Sequence, residues 1–229
     1  NATINEITFG TKNNDITNTI VGREPLFSNT SGENNTAIGF KSLFYDGSNC
    51  NTAVGSNSLY SHILGDNNTA IGYCALRYNT TGINNTAIGP QALYNNTTGS
   101  NNTAIGEAAL QFNFTGVNNV AIGYCALYSN NSDNNIAIGN NALFNNTTGC
   151  NNFAAGAGAV YNSSNGSNNI GIGLSALGNN SNGCNNNAQG YQSLFTNTSG
   201  CNNIAQGYKS LYGNNTGSHN TAQGYKAHY

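Results

Sequence analysis

Short apolar triplets that end in glycine recur along the chain at an almost constant spacing. The most regular version reads Asn-Asn-Thr-Ala-Ile-Gly, and the closing glycine of this motif and its variants occurs thirteen times. Ten of the twelve intervals between these glycines are 17 residues long and two are 16. A fixed period of this size is the sequence signature of a repeat architecture. The glycines are Gly22, Gly39, Gly55, Gly72, Gly89, Gly106, Gly123, Gly139, Gly156, Gly173, Gly190, Gly207 and Gly224.

One repeat, residues 84–100, contains two short apolar stretches at 86–88 and 92–94. Seventeen residues are too few for a pair of helices, whereas two strands of three to five residues joined by turns fit the pattern. Such a unit cannot bury its own apolar face, but coils stacked about 4.8 Å apart pair each backbone with its neighbours. The sequence therefore predicts an all-β, single-chain parallel β-solenoid of about thirteen coils over residues 17–229. Residues 1–16 differ, and we expect an N-terminal strand, cap or donated segment there.

Residues at the same repeat position in successive coils form columns along such a stack. One column is leucine in nearly every coil, and we expect it to face the interior because it is apolar throughout. Its members include Leu43, Leu59, Leu76, Leu93, Leu110, Leu127 and Leu143, with Val160 as the exception in a later coil. The alanine of the Thr-Ala-Ile triplet is always small, with Gly171 as its variant, so we expect close packing against it.

Two further columns carry information about polarity. The Ile/Val column from Val21 to Ile172 changes to Gln189, Gln206 and Gln223 in the last three coils. Because a dry interior tolerates unpaired amides poorly, we place this column at a subunit seam or a wetter edge. The Asn-Asn pair that begins each coil suits a corner, since asparagine adopts left-handed backbone conformations and its amides can stack from coil to coil.

Composition separates this chain from ordinary globular proteins. Charged residues make up 6%, the net charge is −2, and asparagine accounts for about a fifth of the chain. A chain with so few charges and a slight net negative charge has no basic surface to bind nucleic acid. It also has no apolar run long enough to span a membrane. Six cysteines and many Asn-x-Ser/Thr sequons favour a secreted protein at a cell or virion surface. We expect its N-terminus to have been processed, since the sequence does not begin with methionine.

The segment after the leucine column is predicted to be an outward loop, since both short coils lose length there. Ten of these loops contain a sequon, which makes them candidate glycosylation sites. The acceptors are Asn29, Asn79, Asn96, Asn113, Asn130, Asn146, Asn162, Asn179, Asn197 and Asn214. A purely structural interpretation, in which Asn and Thr are turn residues copied with the repeat, stays open.

An aromatic residue follows the leucine in ten of thirteen coils, and strand alternation predicts that it points away from the core. This aromatic stripe favours a subunit interface, with binding of a carbohydrate or cell-surface ligand as the alternative. Its members are Phe27, Phe44, Tyr60, Tyr94, Tyr128, Phe144, Tyr161, Phe195, Tyr212 and Tyr229.

The remaining chemistry is sparse. Cys184 and Cys201 occupy one column in adjacent coils, which places them within reach of a disulfide. The three histidines and eight carboxylates are scattered, and we expect no Ser/His/Asp set, no metal site and no cofactor. The sequence therefore predicts that the protein is not an enzyme.

The repeat units also resemble those of a known class of proteins. Units such as AIGYCAL, AIGPQAL, AIGEAAL and AIGNNAL are similar to the head repeats of YadA-type trimeric autotransporter adhesins. Together with ALYNNTTG they also resemble stalk repeats of phage and viral fibres. The resemblance covers about residues 17–229 and implies a left-handed parallel β-roll, usually a homotrimer, that extends or displays a binding surface.

These observations predict an extracellular structural fibre with an adhesive or surface-display role. Its expected partner is itself, as a homotrimer or a head-to-tail filament formed by coil stacking and lateral association. One alternative is a viral or phage tail-fibre stalk for host attachment. A second is an ice-binding solenoid, because Thr36, Thr52, Thr69, Thr86 and Thr103 form a column, although that column ends at Val120.

Overall fold

The computed structural model describes residues 17–29 and 31–228. Within these ranges the chain is all-β, with thirteen parallel strands stacked in sequence order into a solenoid of about twelve turns and no helix. The predicted β-solenoid is therefore confirmed, while the expectation for residues 1–16 lies outside the described residues. The strands are β1 (Thr19–Val21), β2 (Thr36–Ile38), β3 (Thr52–Val54), β4 (Thr69–Ile71), β5 (Thr86–Ile88), β6 (Thr103–Ile105), β7 (Val120–Ile122), β8 (Ile136–Ile138), β9 (Phe153–Ala155), β10 (Ile170–Ile172), β11 (Asn187–Gln189), β12 (Ile204–Gln206) and β13 (Thr221–Gln223).

Successive coils lie in register, residue on equivalent residue. In β5 and β6, Thr86 pairs with Thr103 and Ala87 with Ala104. Pairing continues beyond the strands, because the amide of Leu93 donates to the carbonyl of Ala109 in the next coil at 2.9 Å. The backbone is thus satisfied mainly by neighbouring coils, and a three-residue strand is sufficient for each turn.

The second apolar stretch of each coil is a turn, so the prediction of two strands per coil is wrong. In the coil of β5, Gln91 has φ 57° and Leu93 has φ 50°, both in the left-handed region. Equivalent residues repeat these angles in every coil from β2 to β12. A bulky residue with positive φ is strained by roughly 1–3 kcal/mol. The strain persists because the stacked hydrogen bonds on both sides fix the turn.

The apolar half of the interior consists of one leucine and two small residues per coil. The leucine column, the alanine of each strand and the residue before the leucine are almost all fully buried. The predicted inward leucine column is confirmed. Where Val160 replaces leucine, the facing strand residue is Gly171, and an ideal Cβ there would lie 2.5 Å from Val160 Cγ2. These two departures from the repeat compensate each other in shape.

The polar half of the interior contains a column of asparagines that we call the corner ladder, from Asn35 to Asn220. The amide N–H of Asn102 donates to Asn85 Oδ1 at 3.0 Å, and Asn102 Nδ2 donates to the carbonyl of Gly116 at 2.8 Å. The preceding asparagine in each pair turns the chain, as at Asn84 with φ 57°. The predicted asparagine corner with coil-to-coil amide bonding is confirmed. Buried amides are tolerated here because their partners are supplied by the repeat itself.

A second polar column, the loop ladder, lies after the leucine turn. Asn96 Nδ2 donates to Asn79 Oδ1 at 2.7 Å and to the carbonyl of Gly99 at 2.9 Å. The prediction that this whole segment faces outward is therefore wrong for its asparagine, which points inward. The ladder is interrupted at Ser163, where the buried Ser163 Oγ and Asn146 Oδ1 have no hydrogen-bond partner.

Candidate functional site

The first candidate surface is the outer side of the sheet, formed by the first and third residues of each strand; we call it the sheet face. Its Ile/Val column is consistently open to solvent, and six of its isoleucines are each 37–42% exposed. The column thus lies at the exterior, in agreement with the wetter-edge alternative, and its glutamines meet water there. These isoleucines are Ile71, Ile88, Ile105, Ile122, Ile138 and Ile172.

The aromatic stripe forms the second surface. Its described members are exposed or half-buried, as the predicted outward direction requires, except for Phe44, which is buried. Tyr128 stacks on Phe144 with ring centroids 4.9 Å apart, and Phe144 stacks on Tyr161 at 5.2 Å. The stripe is interrupted at Gly178, where a Cβ would meet the ring of Phe195 at 2.7 Å. Tyr229 lies outside the described residues.

Cations are associated with aromatic rings wherever the structure describes one. Lys41 Nζ lies 5.2 Å from the Phe44 ring centroid, and Arg77 Cζ lies 5.2 Å from that of Tyr60. Lys209 Nζ lies 5.1 Å from the Tyr212 ring centroid. Because every described lysine and arginine lies beside an aromatic ring, the described surface has no separate cluster of positive charge.

The predicted cysteine pair shares a column but is not bonded. Cys184 and Cys201 are free thiols, and the amide of Cys184 donates to Cys201 Sγ at 3.1 Å. The other four cysteines are free as well. The predicted disulfide is therefore not formed in this structure. Burial raises the pKa of the Cys125 thiol, which lies among the buried residues.

The sequon asparagines divide into two groups. Seven of the ten are buried in the loop ladder, where the Nδ2 that would carry a glycan faces the interior; these are Asn29, Asn79, Asn96, Asn113, Asn130, Asn146 and Asn197. Asn162 and Asn179 lie one position earlier in their coils and form an outer amide pair at 3.2 Å. Asn214 is part-buried. Glycosylation stays a prediction, and on the folded coil it is physically accessible at Asn162 and Asn179.

A buried cluster overturns the expectation that no Ser/His/Asp set forms. His62 Nδ1 lies 2.9 Å from Asp46 Oδ1, and both side chains are fully buried. Ser48 Oγ donates to Asp46 Oδ1 at 2.5 Å and lies 3.2 Å from His62 Nδ1. The sequence alone does not reveal this cluster, because Asp46 and His62 occupy the loop ladder, in a segment that loop composition predicts to face outward. The signal was their 16-residue spacing, equal to one short coil.

The geometry of this cluster indicates a structural role. Asn68 Nδ2 lies 3.3 Å from His62 Nε2, so that nitrogen accepts and Nδ1 carries the proton directed at Asp46. The second carboxylate oxygen, Asp46 Oδ2, is buried without a partner. Ser48 is 4% exposed, so its hydroxyl has no open path to a substrate. A catalytic nucleophile needs such a path, and this serine does not have it.

Open grooves on the surface provide the third kind of candidate site. One groove has a volume of about 610 Å³ and is lined only by serine, threonine and asparagine. Two others, of about 490 and 470 Å³, lie elsewhere on the rod. Across the described residues, no three His, Cys, Asp or Glu side chains converge to hold a metal ion. Nor does that part of the chain contain a helix long and apolar enough to cross a membrane.

The fold and these surfaces define the chain as a β-solenoid repeat protein with polar and apolar exterior stripes. Compared with protein families, with curated proteins and with solved structures, the chain matched none.

Proposed function

We propose that this chain is a segment of an extracellular structural fibre, in which several copies associate side by side to carry an adhesive surface. The supporting observation is the sheet face: exposed isoleucines follow one another in register along successive coils. Contiguous exposed apolar surface of this kind marks interaction sites in soluble proteins. A second copy of the same chain is the simplest partner, because an equally long and regular strip matches it coil by coil.

The dimensions agree with this role. Thirteen strands spaced about 4.8 Å apart give a rod roughly 60 Å long. A strip of that length and roughly 10 Å wide offers on the order of 600 Å² per copy, close to the area of a standard protein interface. With 6% charged residues, little electrostatic repulsion opposes such contact.

Lateral association is tested by replacing isoleucines of the sheet face with the glutamine that the chain itself places in that column. Ile88→Gln with Ile105→Gln should leave the fold intact, as at Gln189 and Gln206, and should shift the oligomer toward monomer in light scattering. The matched control is Thr81→Gln with Thr98→Gln on another exposed face, which should change nothing. A native chain that is monomeric at all concentrations would refute side-by-side assembly.

Ice binding stays a second candidate because of one specific observation. Thr36, Thr52, Thr69, Thr86 and Thr103 are in register on the sheet face. The array ends at Val120, which pairs with Thr103. Thermal hysteresis that is lost on substituting Thr69 and Thr86 would favour this function, and its absence in the native chain would exclude it.

A further inference from the structure

One groove on the rod, which we call the polar groove, runs along five successive coils between two outer columns. All nine lining residues are neutral and carry hydroxyl or amide groups. One column contributes Ser129, Asn145, Asn162, Asn179 and Thr196, and the other contributes Thr147, Ser164, Ser181 and Thr198. At about 4.8 Å per coil, the groove is roughly 20 Å long. Its volume of about 610 Å³ lies within the range of small-molecule binding sites.

The polar groove is a feature of these coils and not of the repeat in general. In earlier coils the first column carries Tyr78 and Phe112 with Asn95 between them, and the second carries Phe114 after Thr80 and Thr97. These rings are 37–45% exposed and interrupt the row of small polar side chains. From Ser129 onward both columns become small and polar, so the surface opens into a trough. The change in side-chain size therefore sets where the groove begins.

Several hydrogen-bonding groups in the groove have no protein partner. Asn145 Nδ2 donates to Asn162 Oδ1 at 2.8 Å, and Asn162 Nδ2 donates to Asn179 Oδ1 at 3.2 Å. This chain of bonds leaves the Asn179 amide nitrogen unused within the described part of the molecule. The hydroxyls of Ser129, Ser164 and Ser181 likewise make no hydrogen bond to any described residue. The groove thus offers both donors and acceptors at the coil spacing.

The walls select against charged ligands. No lining residue is ionisable, so nothing in the groove neutralises a phosphate, sulfate or carboxylate. The rings of Phe144 and Tyr161, which directly precede Asn145 and Asn162 in the chain, line a different groove. Hydroxyl and amide groups without an ionisable neighbour suit a ligand that is polyhydroxylated and uncharged.

We propose that the polar groove binds a linear, neutral oligosaccharide, whose hydroxyls pair with Ser129, Ser164, Ser181 and the Asn179 amide. The proposal rests on the proposed adhesive role and names its ligand class. A peptide is less suitable, because extended peptides bind by adding to a free strand edge, and the groove lies away from the sheet.

The test uses the full chain and four neutral linear probes: the hexasaccharides of α-1,4-glucose, β-1,4-glucose, β-1,4-mannose and β-1,4-N-acetylglucosamine. Binding is followed by ¹⁵N chemical shifts, and we expect at least one probe to shift amides within residues 127–198 at millimolar concentration. A sialylated hexasaccharide should give no shifts there. Shifts produced equally by a Ser/Thr-rich peptide would indicate a peptide site and overturn the proposal. The absence of chemical-shift changes with all four probes would overturn it as well.

A variant pair separates groove binding from general effects. Ser181→Phe fills the groove with the side chain that the same column already carries at Phe114, so the fold should be retained. We expect about a tenfold or greater loss of affinity. Thr97→Phe makes the same change in the same column outside the groove and should alter affinity less than about twofold. Equal affinity of both variants would overturn the assignment.

The test of sugar binding can fail or succeed independently of the test of lateral association. Lateral association is measured by light scattering and depends on the sheet face, whereas sugar binding depends on the groove. Failure of sugar binding with intact association would refute only the ligand, and sugar binding by a monomer would refute only the fibre.

Discussion

The buried Asp46–His62 pair provides the sharpest test of how the interior is stabilised. In the other short coil the same two positions are Asn130 and Asn146, with Asn146 Nδ2 donating to Asn130 Oδ1 at 2.7 Å. Asn130 Nδ2 also donates to the carbonyl of Ser132 at 2.8 Å. The double variant Asp46→Asn with His62→Asn therefore converts the first short coil into an arrangement that the chain already contains.

The magnitudes follow from the contacts of the carboxylate. His62→Asn removes the 2.9 Å ring contact and leaves a fully buried carboxylate whose Oδ2 is already without a partner. A lost hydrogen bond to a buried charged group costs about 1.5–3 kcal/mol, so His62→Asn should destabilise the protein by about 2 kcal/mol, because the introduced amide can restore only part of that bond. Asp46→Asn removes the unpaired oxygen, so it should stay within about 1 kcal/mol of the native chain. The double variant should be at least as stable as the native chain.

The assay is urea unfolding of the native chain and the three variants, followed by far-ultraviolet circular dichroism. Because solenoids can unfold coil by coil, hydrogen exchange of the amides in β2–β4 should accompany it. We expect a coupling free energy of about 2 kcal/mol between the two substitutions. If His62→Asn were equally costly with aspartate or asparagine at position 46, His62 would act by packing alone and the argument would be wrong.

Three further changes test other parts of the structure. Gly171→Ala should lower the free energy of unfolding by about 1–3 kcal/mol, because the added methyl group overlaps with Val160. Combining it with Val160→Leu should restore the repeat and remove most of that cost. Urea unfolding measures both effects. Ser163→Asn should stabilise by about 1–2 kcal/mol, because it completes the loop ladder and satisfies a buried oxygen in the preceding coil. Cys125 should be alkylated more slowly than the exposed Cys50 at pH 8, and its rate should rise at higher pH, because burial raises the pKa of its thiol.

The contradicting results are equally specific. Additive effects at Val160 and Gly171 would show that their shapes are not coupled. A destabilised Ser163→Asn variant would show that the interruption of the ladder is required by its neighbours. Equal alkylation rates in the folded chain would contradict burial of Cys125.

The raised pKa of Cys125 also sets how the free energy of unfolding depends on pH. The contribution of this thiol to stability is complete below its ordinary pKa and is lost as the pH rises through the raised value.

The sequence by itself determined the repeat, the parallel stacking and the inward leucine column. These follow from periodicity, because a 17-residue unit with one invariant leucine has few ways to bury it except against its own copies. The exterior position of the aromatic stripe followed in the same way, since it lies next to the leucine in the chain. The asparagine corner was also predictable, because asparagine combines a left-handed backbone with an amide that stacks.

Only the tertiary structure decided which asparagines of the Asn-Thr-Thr-Gly segment point inward. Loop composition predicts an exterior, but the left-handed turn at Leu93 redirects the chain so that Asn96 donates into the coil. The equivalent turns at Leu43 and Leu59 precede Asp46 and His62, which meet from positions 16 residues apart. A left-handed leucine has an unfavourable local energy and is held by hydrogen bonds from adjacent coils, so no local pattern in the sequence could indicate it.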